Sequence, residues 1–310
     1  MKIWKDIEKF RGTRPVVTVG IFDGVHRGHR FLIDRLRGKA HELNGESVII
    51  TLWPHPRVVL NKDTGNLRYL NSIDEKKELL EQSGVDHLII LPFTKEFAGQ
   101  DSCSFINNYL VKKLSINYLL VGFDHKFGKD REGDYERLKL CAKEYGFGIE
   151  QIAPREIDSQ KISSSLIREL LLTKELIEAN QFLGYNYFLK GKVTNGNQVG
   201  REIGFPTANI EPEDPHKLIP ADGVYAVFVN INNEKHQGML NIGYRPTMES
   251  NDLRKSIEVN IFNFDKNIYN EDIYVEFVAR LRNEKKFQNI EQLTQQLIID
   301  KQQALNLFNT

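Results

Sequence analysis

The stretch that decides the fold reads Val-Val-Thr-Val-Gly-Ile-Phe-Asp-Gly-Val-His-Arg-Gly-His and covers residues 16–29. Its first four residues are typical of a buried strand, and apolar residues recur with helical spacing from Phe31 onward, so a strand-to-helix turn lies between them. His26 and His29 fall at that turn. A helix N-terminus carries unpaired backbone N–H groups and a partial positive charge, and both favour phosphate.

Two glycines support a phosphate site at this turn. Gly24 and Gly28 allow a ligand to come close to the main chain because they lack a Cβ. The imidazoles of His26 and His29 can then donate hydrogen bonds to phosphate oxygens. A histidine pair at this spacing is more often a surface feature or part of a metal site, but the glycines and the strand-to-helix setting favour phosphate.

The composition limits the class of protein. A chain of 310 residues suits two domains, and 40% hydrophobic with 27% charged residues is typical of a globular protein with buried cores. Lys and Arg, 42 together, balance the 42 Asp and Glu, so no excess charge attracts the chain to nucleic acid or to an anionic membrane. A homo-oligomer stays an open alternative.

Cysteine usage and the N-terminus indicate a cytoplasmic protein. Cys103 and Cys141 are the only two cysteines; this argues against a disulfide framework, and neither belongs to a Cys-x-x-Cys zinc pattern. The first eight residues contain no apolar run long enough for a signal peptide. No segment is long and apolar enough to span a bilayer.

Up to about Gly184, short β-rich runs alternate with helical runs. This predicts βαβ crossovers and a parallel sheet with helices on both faces, whose ligands gather at the carboxyl ends of the strands. We predict an α/β domain at residues 1–184. Its predicted strands are Val16–Ile21, Ser47–Leu52, His87–Leu91, Tyr118–Val121 and Gly148–Ile152, and its predicted helices include Glu75–Ser83, Ser104–Lys113 and Tyr135–Tyr145.

Beyond Tyr185 the pattern becomes that of an antiparallel sheet. Strands separated by Gly, Pro and Asn turns are predicted at Gly223–Ile231, Ser256–Phe264 and Asp272–Leu281. A closing helix follows, in which Asn289 and Gln292 resemble a capping pair. Its apolar stripe consists of Ile290, Leu293, Leu297, Leu305 and Phe308. We predict a second domain at residues 185–310, a small antiparallel β-barrel with one helix.

A serine run in the first domain precedes another helical pattern. Ser163, Ser164 and Ser165 are typical of a helix N-cap, and capping alone explains such serines in most proteins. Three hydroxyls followed by Arg168 exceed what a cap requires. Hydroxyls, a helix N-terminus and a guanidinium converge well on a triphosphate, so this segment and the histidine turn together predict an ATP site.

The segment at residues 121–134 follows a strand and mixes aromatic residues, glycines and charges. Taken alone, a solvated loop is the favoured interpretation. In the functional alternative, Phe123 or Phe127 packs against a planar ligand. Asp124 then accepts hydrogen bonds from the same ring.

The barrel domain contains a glycine-rich segment, Gly200-Arg-Glu-Ile-Gly-Phe-Pro-Thr-Ala-Asn209. Its composition is also that of an ordinary turn. However, Thr207 and Asn209 can address one Mg²⁺ ion or its phosphates, because Mg²⁺ prefers hard oxygen ligands. The glycines allow backbone amides to hold phosphates without forming a Walker A loop, and Arg201 is a further phosphate or lid contact.

Glu258 is the candidate base of the barrel domain. Ile257, Val259 and Ile261 share one face of their strand, so Glu258 points to the other. The pattern alone favours an exposed strand residue. Beside Mg-ATP, a carboxylate on a rigid strand can instead orient and deprotonate a substrate hydroxyl.

Four first-half motifs together resemble the adenylyltransferase module of bacterial bifunctional riboflavin kinase/FAD synthetases, a Rossmann-like member of the nucleotidyltransferase superfamily with a His-x-Gly-His signature. The motifs are Thr18–His29, Trp53-Pro-His-Pro, Gly122–Gly128 and Ile162–Arg168. The resemblance implies that His26, His29, Ser163, Ser164 and Arg168 bind ATP phosphates. It also implies that Asp124, Phe127 and the region of His55 border the flavin. Ile21 stands where Asn is common, and Ser165 keeps the hydroxyl of the usual Thr.

The second half resembles a riboflavin kinase domain. The matching motifs, in the family's order, are Gly200–Asn209, Ala221–Tyr225, Asn241–Thr247, Glu258 with Ile261–Asp265, and Leu281–Phe287. The resemblance implies that Thr207 and Asn209 bind Mg-ATP, that Glu258 is the catalytic base and that Arg282 lies near the flavin. Asn260, Asn263 and Asn270 depart from the usual His, Asp and Gly.

Together the two halves imply ATP-dependent phosphorylation of riboflavin to FMN, followed by adenylylation of FMN to FAD with release of pyrophosphate. The small-molecule partners are then ATP, riboflavin, FMN and FAD, with Mg²⁺ as cofactor. One rival is another nucleotidyltransferase, acting on pantetheine phosphate or a tRNA-like substrate, fused to an unrelated barrel. A second alternative is a flavin-binding regulator without turnover. The intact set of site residues argues against it.

Overall fold

The computed structural model describes residues 1–60, 67–123, 134–153, 156–157, 160–194, 200, 203–246 and 253–309. The chain forms two compact units, Met1–Ser164 and Ser165–Thr310. Each unit contains its own sheet. In the described part of the chain, no helix combines the length and apolar character needed to cross a membrane.

The first unit is built on a six-stranded sheet in the order β1-β4-β3-β2-β5-β6, and every pairing is parallel. The strands are β1 (Lys2–Trp4), β2 (Val16–Gly20), β3 (Ser47–Trp53), β4 (His87–Pro92), β5 (Tyr118–Gly122) and β6 (Gly148–Ile152). Every predicted strand of this half is present within two residues of its predicted ends. The short edge strand β1 was not predicted, because three residues carry too little periodicity.

Helices connect these strands and begin at side-chain caps. They are α1 (Arg27–Glu42), α2 (Pro56–Val59), α3 (Ile73–Gln82), α4 (Lys95–Ala98), α5 (Ser102–Phe105) and α6 (Tyr135–Tyr145). Ser72 caps α3 in a reciprocal capping box with Glu75. The helix predicted at Ser104–Lys113 is a short α-helix that continues as a π-helical segment, Ile106–Val111. A two-stranded ribbon, β7 (Glu156–Ile157) and β8 (Gln160–Lys161), completes the unit.

Cys103 and Cys141 form a disulfide between α5 and α6, with Cα atoms 6.3 Å apart. This pairing is not predictable from the sequence, because 38 residues separate the two cysteines and spacing alone does not reveal spatial neighbours. One bridge is not a disulfide framework, but the pairing of these two cysteines was not predicted.

The second unit contains a closed barrel in the order β10-β13-β12-β11-β14-β9, with β9 pairing back onto β10. The strands are β9 (Phe188–Thr194), β10 (Ala208–Pro212), β11 (Gly223–Ile231), β12 (Glu234–Pro246), β13 (Leu253–Ile261) and β14 (Asp272–Arg282). All six pairings are antiparallel, as predicted. The strand predicted at Ser256–Phe264 lies three residues earlier, because Asn263 turns the chain at a φ of 54°.

The closing helix α9 (Ile290–Phe308) packs on the barrel through Ala304, Leu305 and Phe308. Asn289 caps it by accepting a hydrogen bond from Gln292 N at 2.9 Å, as the sequence predicts. The Gln292 side chain accepts from the main chain of Gln288 rather than from Asn289. Half of a capping box is therefore present.

Two further helices, α7 (Ser164–Leu172) and α8 (Leu176–Leu183), precede the barrel. Almost all of both helices falls within the second unit. One reason is that Asn180 on α8 accepts a hydrogen bond from the main chain of Tyr187, directly before β9, and donates one to the main chain of Phe277 on β14. The predicted domain boundary at 184/185 assigns these helices to the first domain, and it stays a prediction.

Candidate active sites

The first unit contains a cavity of about 320 Å³ at the carboxyl ends of β2, β5 and β6. Between β2 and β5 the strand order reverses direction, and ligands of open parallel sheets bind at such a switch point. The cavity brings together these predicted site residues: His26, Gly28, His29, Ser163 and Ser164.

The two histidines form a stacked pair at the start of α1. His26 is the N-cap, and its Nδ1 accepts a hydrogen bond from the His29 main chain at 3.3 Å. The two rings stack with centroids 3.6 Å apart and planes 15° from parallel. A Cβ on Gly28 would lie 3.2 Å from the His26 ring, so this glycine makes room for the ring.

His29 is held in its neutral form. Burial lowers its pKa well below 6.5, and the nearby His26 and Lys76 lower it further. Its Nδ1 is buried and has no hydrogen-bond partner among the described residues. A neutral imidazole with one unused nitrogen can bind a phosphate oxygen directly, or take a proton when negative charge arrives.

The turn before α1 is held in a strained conformation. Phe22 and Val25 have φ values of 50° and 34°, and Gly24 has a φ of 85°, a region that costs free energy for residues with a Cβ. The buried carboxylate of Asp23 accepts hydrogen bonds from the main chain of Leu70 at 3.0 Å and 3.2 Å. Gly24 thus serves the turn by its backbone conformation.

Asp23 also connects the turn to the serine segment. Its main-chain oxygen accepts a hydrogen bond from the Ser164 hydroxyl at 2.8 Å. The turn and the start of α7 are therefore fixed to each other at the cavity. Sequence reasoning named the turn but did not assign a role to Asp23.

Lys76 is a second residue that the sequence reasoning missed. It is 1% exposed, and its Nζ donates to the Ile21 main-chain oxygen at 2.8 Å and lies 5.2 Å from the centre of the Trp53 ring. Burial lowers its pKa to about 8, and the charge of Asp23 opposes the shift. The available signal was a lysine in the apolar stripe of α3, in register with Leu79 and Leu80.

Ile21, where the resembled family commonly has Asn, contributes its main chain to this arrangement. Its carbonyl accepts from Lys76 and from the Thr51 hydroxyl, the latter at 3.2 Å. Ile21 is also among the residues that line the cavity. The departure therefore leaves the position of the turn intact.

The remaining site residues predicted for this half are not among those that the structure brings together at the cavity. His55 is not among the residues that line the cavity; it caps α2, and its ring centroid lies 6.0 Å from that of Tyr69. Asp124 and Phe127 lie outside the described residues. Ser165 and Arg168 lie on the part of α7 that belongs to the second unit, and their roles stay predictions.

The barrel contains a second cavity of about 290 Å³. It brings together four predicted site residues: Gly200, Thr207, Glu258 and Arg282. Arg201 lies outside the described residues. The residues that complete the wall include Asn241, Glu284, Lys285, Phe287, Leu293 and Leu297.

Strand register places Glu258 between two amides. Asn209 on β10 and Asn241 on β12 are each directly opposite Glu258 on β13. Directly opposed residues project from the same face of a sheet, so these three side chains share one face. Asn241 also donates to Glu284 at 3.3 Å; only family resemblance drew attention to this asparagine.

The glycine-rich segment is closed by its own backbone. Phe205 N donates to the Gly200 oxygen at 2.8 Å, and a Cβ on Gly200 would collide with the Phe205 carbonyl. Asn260 donates to the Pro206 oxygen at 2.7 Å, directly before Thr207. Asn260, which stands where the resembled family usually has His, thus supports the segment that carries Thr207.

The departure at Asn270 also has a structural explanation. Asn270 has a φ of 66°, a conformation that glycine adopts freely and that asparagine tolerates better than other residues with a Cβ. Asn can therefore replace the usual Gly at this turn. Asn263, with a φ of 54°, occupies the same conformational region.

The architecture defines a class of protein. A switch-point cavity with a stacked histidine pair, and a separate barrel cavity with a strand-borne carboxylate, are the features of a two-domain transferase that acts on phosphate groups. The comparisons with known proteins agree in each half. A family model described as FAD synthetase matches residues 9–166, and one described as riboflavin kinase matches residues 183–308.

Full-length relatives narrow the class to one family. Proteins named bifunctional riboflavin kinase/FMN adenylyltransferase from Listeria monocytogenes and Bacillus subtilis are 38% and 36% identical to this chain. The alignments cover 98% and 96% of this chain, and 94% and 93% of the relatives. The chain belongs to the bifunctional riboflavin kinase/FMN adenylyltransferase family, and the predicted family and fold are confirmed.

A solved structure shares the fold over the whole chain. The crystal structure described as a macrolide-efflux protein from Streptococcus pneumoniae is 32% identical, with a TM-score of 0.89, and the match covers 98% of each chain. That description belongs to the Streptococcus protein. What the two chains share is the arrangement of the same elements along their full length.

The lowered pKa of His29 predicts acid sensitivity of the first unit. Because the folded pKa lies below 6.5, the unfolded state binds a proton that the folded state does not, so stability is lost as pH falls through 6.5 toward the folded pKa. We expect the free energy of unfolding to fall by roughly 1 kcal/mol per pH unit in that window. Trp4 and Trp53 are the only tryptophans, so urea unfolding followed by tryptophan fluorescence reports on this unit alone.

The control for this prediction is a histidine on the same helix. His29→Asn should reduce the loss of stability between about pH 7 and pH 5.5, whereas His41→Asn, which changes an exposed residue of α1, should leave it unchanged. Equal pH dependence in His29→Asn and the parent protein would contradict the assignment.

Proposed function

We propose that the switch-point cavity adenylylates FMN and that the barrel cavity phosphorylates riboflavin, each with ATP. One observation supports this proposal: each unit contains its own cavity, and each cavity is lined by several of the residues predicted for the corresponding chemistry. FMN made by the kinase is the substrate of the adenylyl transfer. We further propose that the protein is cytoplasmic, as predicted from its sequence.

In the first site, the FMN phosphate attacks the α-phosphorus of ATP, and the bond to the β-phosphate breaks to release pyrophosphate. His26 and His29 bind phosphate oxygens at the N-terminus of α1, where the helix dipole favours anions. Ser163 and Ser164 contribute hydroxyls. The nucleophile is already anionic, so this step needs positioning and charge neutralisation rather than a base.

In the barrel site, a ribityl hydroxyl of riboflavin attacks the γ-phosphorus of ATP, and ADP leaves. This nucleophile is a neutral hydroxyl, so its proton must be taken up, and Glu258 is the base that receives it. Asn209 and Asn241, opposite Glu258 on the neighbouring strands, help to hold the carboxylate in place. Arg282 and Phe287 line the cavity, and we assign them to the flavin.

The residues present fit a magnesium ion that enters with ATP. Thr207 and Asn209 supply hard oxygen atoms beside the Glu258 carboxylate, the donor type that Mg²⁺ prefers. Among the described residues there is no cluster of three or more His, Cys, Asp or Glu side chains, so phosphate oxygens and water would complete the ligand set. The bound ion would supply charge neutralisation on the phosphates.

Removal of Mg²⁺ should stop both reactions. With excess EDTA, we expect FMN formation from riboflavin and FAD formation from supplied FMN each to fall by about 100-fold or more. Both rates should return when Mg²⁺ is added in excess of the chelator. Chromatography with flavin fluorescence separates the three flavins, and undiminished FMN formation in EDTA would contradict the Mg-ATP assignment.

Replacing Glu258 should separate the two activities. Glu258→Gln keeps the shape of the side chain but removes the base, so we expect riboflavin phosphorylation to fall by about 100-fold or more, while FAD formation from supplied FMN is unchanged. Glu211→Gln, an exposed glutamate on β10, is the matched control. Normal FMN formation by Glu258→Gln would disprove the base role.

Replacing His29 should have the reciprocal effect. His29→Ala removes a phosphate ligand of the first site, so FAD formation from supplied FMN should fall by about 10- to 1,000-fold, while FMN formation is retained. His41→Ala on the same helix should change neither rate. If both activities fell together in His29→Ala, misfolding rather than lost phosphate binding would be the explanation.

A further inference from the structure

A buried carboxylate lies behind the arginine of the kinase cavity. Arg282 Nε donates to the two carboxylate oxygens of Asp300 at 2.9 Å and 3.0 Å, and Arg282 Nη2 donates to Asp300 Oδ2 at 2.7 Å. The Asp300 side chain is 0% exposed and that of Arg282 is 20% exposed. This two-pronged geometry fixes both the position and the plane of the guanidinium.

Asp300 is supplied by the C-terminal helix α9 and is not itself among the residues that line the cavity. Two other residues of the helix, Leu293 and Leu297, do line it. Gln296, one turn before Asp300, donates to Asp300 Oδ1 at 2.9 Å. The helix thus forms one wall of the cavity and also holds the carboxylate that orients Arg282.

The remaining donors of Arg282 are available to a substrate. A guanidinium has five N–H groups. The bonds to Asp300 use Nε–H and one hydrogen of Nη2, and Nη1 donates to the Asn283 main chain at 2.9 Å. Within the described part of the chain, one N–H on each Nη is left for a further acceptor. The Phe287 ring, 5.8 Å from the guanidinium carbon, adds a planar apolar surface beside these donors.

We propose that Asp300 is a positioning residue of the riboflavin kinase site, which orients Arg282 so that its remaining N–H groups meet acceptor oxygens of the planar flavin ring. The inference rests on the proposed role of Arg282 in flavin binding. Without the carboxylate, a flexible arginine side chain would sample several conformations, and the substrate would have to select one of them at the expense of affinity.

The test uses the full-length protein and steady-state kinetics with riboflavin as the varied substrate. Asp300→Asn keeps the shape of the side chain but places an amide N–H against the guanidinium. We expect KM for riboflavin to rise and kcat/KM to fall by about 10- to 100-fold. The KM for ATP should stay close to the parent value. The rate of FAD formation from supplied FMN should also stay close to the parent value. Asp300→Glu should recover part of the loss, and Gln296→Ala, which leaves the ion pair in place, should lose little.

Two further variants distinguish this inference from the proposed function. Arg282→Gln should raise KM for riboflavin at least as much as Asp300→Asn, and the double variant should be no worse than Arg282→Gln alone. A rise in Arg282→Gln without a rise in Asp300→Asn would overturn the positioning role only. No change in Arg282→Gln would overturn the flavin role of Arg282 itself. KM for riboflavin does not depend on the fraction of enzyme that is folded. If Asp300→Asn lowered the melting temperature but left this KM unchanged, the role of Asp300 would be structural only, and the inference would be wrong.

Discussion

The buried carboxylate of Asp23 holds the turn on which the first site depends. The carboxylate accepts main-chain hydrogen bonds from Leu70 and Asn71. The main-chain carbonyl of Asp23 accepts from Ser164, and that of Ile21, two residues earlier, accepts from Lys76. These contacts hold a turn in which residues with a Cβ adopt positive φ values. Strain of this kind persists only where the surroundings fix it, and its result is a helix N-terminus aimed at the switch-point cavity.

Closure of the barrel sets the corresponding constraint in the second unit. Because β9 pairs with β10 and β10 pairs with β13, the short strand after the glycine-rich segment has a fixed register, and Asn209 lies opposite Glu258. A one-residue slip would turn every side chain of β10 to the other face. The same closure leaves Ile257 and Val259 buried and leaves Glu258 on the face of the cavity.

Elements whose sequence shows a clear hydrophobic periodicity were predictable. Residues whose role depends on contacts with other elements were not. The sheet strands, the antiparallel barrel and the Asn289 cap follow from alternation, helical spacing and local hydrogen bonding. Asp23, Lys76 and Asp300 act through contacts with residues of other elements, so sequence periodicity does not reveal their roles. Lys76 did leave a trace, since a lysine in an apolar helix stripe violates the pattern around it. The pairing of Cys103 with Cys141 was hidden for the same reason.

The two sites solve different electrostatic problems. The kinase nucleophile must lose a proton, and a carboxylate on a rigid strand can take it up. The adenylyl acceptor is already an anion, so its site must gather phosphate charge without repelling it. A neutral His29 suits this task because burial and Lys76 keep it uncharged in the free enzyme, whereas an incoming triphosphate favours its protonated form. Positive charge can then develop beside the phosphates when they bind, and the empty cavity need not hold a buried imidazolium.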